Sequence, residues 1–71
     1  MKKLLMEYGF NSDMQYFEMI VKYFKDGEIQ KSKDLFLAMP RKERKGFVKS
    51  IYHYWNIGLT HSDKIIFFEL L

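Results

Sequence analysis

Asp13-Met14-Gln15-Tyr16-Phe17-Glu18-Met19-Ile20-Val21-Lys22-Tyr23-Phe24-Lys25-Asp26-Gly27 is the stretch on which the fold of this chain turns. At about 100° per residue, Phe17, Ile20, Val21 and Phe24 share one helical face, with Met14 and the preceding Phe10 close by. Tyr16, Met19 and Tyr23 form a second apolar stripe beside the first. The polar wedge keeps only Gln15, Glu18, Lys22, Lys25 and Asp26. A helix apolar over more than half its circumference is either central to its domain or covered in part by a partner. Asn11 or Ser12 is positioned to cap it, Asp13 suits its first turn, and Gly27 suits its left-handed end.

Working toward the C-terminus, Glu28 opens a second helix in which Ile29, Ser32, Leu35, Phe36 and Met39 share a face. With only Gly27 between them, the two helices should pair as an antiparallel hairpin, and the small Ser32 permits close approach. Pro40 cannot extend the second helix and fits the first position of a third. That third helix carries Phe47, Val48, Ile51, Tyr52, Tyr54 and Trp55 on its apolar arc, and Gly58 is a candidate terminator. Thr60-His61-Ser62-Asp63 resembles a capping box for a fourth helix. The β-prone Ile65-Ile66-Phe67-Phe68 leaves a strand as the alternative, but no neighbouring hairpin signal would pair it. Toward the N-terminus, residues 1–8 suit a short helix stopped by Gly9, or equally an extended arm.

The expected fold is therefore all-α: a bundle of three main helices, about 12–26, 28–39 and 41–56, plus a short C-terminal helix, about 61–71. It forms a single domain over 1–71. The expected core is Phe17, Ile20, Val21, Phe24, Ile29, Leu35, Phe36, Met39, Phe47, Val48, Ile51 and Trp55. Thirteen of the 71 residues are aromatic, an 18% share that gives a small chain more apolar area than its aliphatics supply. There is no cysteine, which excludes disulfides and thiolate metal sites. No apolar run approaches a membrane span, and Glu7 interrupts the apolar start before it reads as a signal peptide. The expected location is cytoplasmic.

Charge is concentrated. Arg41 to Lys49 holds five cations against one anion, Glu43, in a chain whose formal net charge is +3. Lys42, Lys45 and Lys49 project from one side of the third helix with Arg41 at its entrance, making them candidate anion or nucleic-acid contacts. Arg44 instead falls inside the apolar arc, where its stem can pack and its head snorkel or pair with Glu18 or Asp34. The alternative for the cluster is a solvated lysine face. A helix-turn-helix match is poor, since the turn would be Met39-Pro40.

Tyr16, Met19, Tyr23, Tyr52 and Tyr54 are the candidate protein interface, because tyrosine and methionine are enriched at such surfaces. His53, His61 and Asp63 show no recognised metal-ligand spacing. No nucleophile arrangement, glycine-rich phosphate loop or paired carboxylates point to catalysis, and no cofactor or metal is expected. Tyr23-Phe24, Gly27, Leu35-Phe36, Met39-Pro40, Arg44 and Phe47 together resemble a helical-hairpin pattern of small all-helical proteins from bacteriophage and mobile-element gene neighbourhoods. The similarity covers about 14–51. It implies a protein that acts by binding and assigns no functional residue. The functional expectation is a non-enzymatic interaction protein using an aromatic helical surface to bind a protein partner or a second copy. The alternative is a nucleic-acid binder using the basic start of the third helix.

Overall fold

A computed structural model describes residues 1–53 and 59–71, and the His53 side chain is outside that description. Tyr54, Trp55 and Gly58 therefore lie outside the described residues, as does the expected helix end at 56. The described residues form five helices and no strand: α1 (Lys2–Tyr8), α2 (Asp13–Lys25), α3 (Ile29–Ala38), α4 (Arg41–His53) and α5 (His61–Glu69). The expectation of three main helices and one short one is corrected by α1. Seven residues carry too little periodicity to declare a helix, and the fold supplies the missing stabilisation. Leu4 and Leu5 pack against the core. The Cα radius of gyration, 11.1 Å, is that of a chain folded back on itself without a projecting arm.

Two helix ends use the same backbone device. Gly27 sits at φ 86° after α2, so the Glu28 N–H donates to the Tyr23 carbonyl at 2.9 Å and the Gly27 N–H to Phe24 at 3.2 Å. Gly9, at φ 74°, repeats the pattern after α1: the Phe10 N–H reaches Leu5 at 2.7 Å and the Gly9 N–H reaches Met6 at 3.2 Å. Both are Schellman ends, and glycine enters this left-handed region without the Cβ penalty other residues meet. Helix starts follow the sequence as well. The Ser12 hydroxyl accepts from the Gln15 N–H at 3.3 Å. Thr60 and Asp63 close a reciprocal capping box at 3.1 and 3.0 Å. The segment after residue 60 is helix, not strand.

α2 and α3 form the expected antiparallel hairpin, and α5 packs on α4. The hairpin is pinned twice. The Ser32 hydroxyl, fully buried, donates to the Ile20 carbonyl at 2.7 Å. The Tyr16 phenol donates to the Leu35 carbonyl at 2.6 Å. Leu35 lies in the last turn of α3, where carbonyls lose their helical partners, and the Met39 N–H goes to Phe36 instead. The phenol thus satisfies an orphan acceptor.

A phenylalanine cluster joins all these helices except α1. Phe47 meets Phe17, Phe36 and Phe67 with ring centroids 5.3, 5.6 and 5.2 Å apart, and Phe67 also meets Phe24 at 5.2 Å. Of the expected core, Ile29 is only half-buried, since it opens α3 at the edge of the hairpin. Tyr16 and Phe67 enter the core unexpectedly, whereas Ser32 is buried on the face expected for it.

Candidate functional site

Tyr16 requires the main correction to the expected interface. It lies on the stripe with Met19 and Tyr23, yet it is completely buried. The cause is α1 and its Schellman end. The reversal at Gly9 brings Tyr8 and Phe10 side by side, their rings stacked at 6.2 Å and 19°. Both meet the Tyr16 ring edge-on, at 5.9 Å and 72° from Tyr8 and 6.0 Å and 89° from Phe10. Tyr16 is sealed behind these two rings, and their other sides help to line a groove.

That groove, of about 430 Å³, lies among α1, α2 and α3 and is lined by Tyr8, Phe10, Met19, Tyr23, Lys31, Asp34 and Leu35. Met19 and Tyr23 are half-buried here. Tyr8 is 49% exposed. One end is polar. The Lys31 ammonium bonds Glu28 at 3.0 Å and lies 5.6 Å from the Tyr23 ring centroid. The Glu28 hydrogen bond and charge raise the Lys31 pKa, reinforcing its cationic form. Asp34 accepts from the Gln30 amide at 2.9 Å. A smaller depression of about 250 Å³ continues past Phe10 and Met19 to Gln15, Glu18 and Lys22. Tyr8 and Phe10 were absent from the expected interface, although an aromatic on each side of Gly9 was the available signal.

The buried phenol yields a pH prediction. Desolvation, then the proximity of Tyr8 and Glu7, pushes the Tyr16 pKa from 10.0 up to about 12. The folded protein therefore holds the proton more tightly than the unfolded chain does. The associated stability is complete below pH 10 and is lost as pH rises toward about 12. Tyr16→Phe should cost about 1–2 kcal/mol near neutrality by stranding the Leu35 carbonyl. The gap from wild type should narrow by roughly 1 kcal/mol near pH 11, because only wild type then suffers the ionisation penalty. Urea titrations of both proteins at the two pH values check this, and a pH-independent gap contradicts it.

The second expected surface lies on α4. Arg41, Lys42, Lys45 and Lys49 are all exposed. Tyr52, 36% exposed, is on the same helix, and its contacts run to α5: the His61 ring at 6.1 Å and the Lys64 ammonium at 5.7 Å. It is no part of the groove lining. Arg44 is half-buried on the apolar side, with its Nε buried and without a hydrogen-bond partner among the described residues. The expected pairing with Glu18 or Asp34 is not formed.

Among the described residues, no group of three or more His, Cys, Asp or Glu side chains could hold a metal ion. Among them also, no helix is long and apolar enough to cross a membrane. No family model, curated protein or solved structure matches the chain.

Proposed function

We propose that this chain is a non-enzymatic interaction protein that binds a protein partner in the groove between α1, α2 and α3. The observation that carries the reading is an open apolar groove whose aromatic lining is braced from behind by a buried ring. Tyr8, Phe10, Met19 and Tyr23 line the space, and Tyr16, itself held by its bond to Leu35, braces Tyr8 and Phe10 from behind. Aromatic side chains ordered before binding lose little conformational freedom on association, so their burial goes further toward affinity. A groove near 430 Å³ suits one or two apolar side chains presented by the partner. Lys31 is placed at the groove to receive a carbonyl or carboxylate beside them.

Site-specific photocrosslinking in native cells tests this reading. A benzophenone side chain at Tyr8 or Tyr23 should give a discrete protein adduct, and the same probe at exposed Lys3 or Glu69 should not. Equal adducts at all four positions, or none at Tyr8 and Tyr23, would remove the groove as the binding surface. Sedimentation up to about 1 mM identifies a second copy as the occupant, through dimerisation that a Met19→Glu substitution abolishes.

A further inference from the structure

We propose that the outer face of α4, extended by Lys64 of α5, binds single-stranded nucleic acid, with Tyr52 as a base-stacking ring among the cations. This surface is separate from the groove and does not depend on its role. Helical geometry places Arg41, Lys45, Lys49 and Lys42 within an arc of about 100°. Tyr52 falls inside that arc, about 20° round from Arg41. Arg41, Lys45 and Lys49 climb the axis in steps of about 6 Å, a ladder suited to an extended polyanion. The apolar residues Phe47, Val48 and Ile51 point to the core, so the cationic arc is left to solvent. Glu43, the acid of α4, falls on another side of the helix, roughly 100° beyond Lys42.

Cations alone would describe a solvated helix face. The ring contacts distinguish this one. Lys64 approaches Tyr52 at 5.7 Å and His61 meets its edge at 6.1 Å, so a second helix supplies a further cation and steadies the aromatic plane. Asp63, the adjacent acid, is bonded to the Thr60 N–H in the capping box. None of the five cations is in a salt bridge with a carboxylate among the described residues, whereas Lys31 is neutralised by Glu28. Exposed rings set in a cationic track bind single strands by stacking with bases while the cations follow phosphates. An acidic polypeptide would use the charges and leave the ring idle.

Fluorescence anisotropy with a labelled oligothymidylate of about twenty nucleotides is the test, with binding measured from about 50 to 200 mM salt. About four phosphate contacts predict a log–log salt slope near −3, a loss of roughly fifty-fold across that range. Lys42→Glu, Lys45→Glu and Lys49→Glu combined should weaken binding at least tenfold more than the same three reversals at exposed Lys2, Lys3 and Lys25. Tyr52→Ala should weaken it roughly tenfold and Tyr52→Phe should not. Circular dichroism verifies that each variant is folded. No binding near 50 mM salt overturns the proposal, as do equal losses from the two charge-reversed triples. Effective competition by polyglutamate together with an unaffected Tyr52→Ala also overturns it, and assigns the face to acidic polypeptides.

Discussion

Phe67→Ala should destabilise the protein by about 3–5 kcal/mol, enough to unfold much of the population at 25 °C. The ring is completely buried and is met by Phe24, Phe36 and Phe47, each at 5.2–5.3 Å. Those rings come from α2, α3 and α4, so a single side chain of α5 closes the core. Its removal forfeits the transfer energy of a phenyl group and leaves a cavity that helices on several sides cannot all collapse to fill. A domain of 71 residues has little stability in reserve. Phe68→Ala is the matched control: that neighbour is 58% exposed and should change stability by less than about 1 kcal/mol. Urea unfolding followed by circular dichroism separates the two, and similar midpoints for both variants would refute the placement of α5.

Ser32→Leu is expected to cost about 2–4 kcal/mol, against about 1 kcal/mol for Ser32→Ala. Ser32 is fully buried between α2 and α3, with its hydroxyl on the Ile20 carbonyl. Alanine loses only that bond, because Ile20 can keep its helical acceptor role. Leucine loses the bond and adds volume where two helix backbones approach closely, so the hairpin must spread. Spreading would also lengthen the Tyr16–Leu35 bond, the other pin across the same interface. Thermal melts of the pair decide the matter: a leucine variant as stable as the alanine variant would mean that the helices are not closely apposed at this point.

The hairpin was legible because its signals are local. Gly27 marks one turn, Pro40 the next, and Thr60 with Asp63 the start of α5. The core positions of α2 and α4 followed from a 3.6-residue period, running through Phe17, Ile20, Val21 and Phe24 in one and Phe47, Val48 and Ile51 in the other. Phe67 was not legible, since Ile65-Ile66-Phe67-Phe68 is apolar on every side and periodicity cannot select one member. Tyr16 misled for a different reason. Its stripe is continuous with Met19 and Tyr23, and only the folding of α1 back over α2 separates the covered ring from the half-covered ones. The groove inherits that dependence, because Tyr8 and Phe10, two of its seven lining residues, flank Gly9. The cationic arc of α4 was visible in charge and spacing, but its ring partner from α5 required tertiary contact.

No residue of α1 is itself buried, although its leucines rest on the core and its end covers Tyr16. The layer that shapes the groove is consequently the outermost one, resting on the α2–α5 body through partly buried side chains. Local opening of α1 costs far less than global unfolding, and the two equilibria answer to different residues. Substitutions around Gly9 should then reshape the groove while the phenylalanine cluster keeps the domain intact. On the proposed reading, the groove's specificity and the domain's stability are therefore set by different residues.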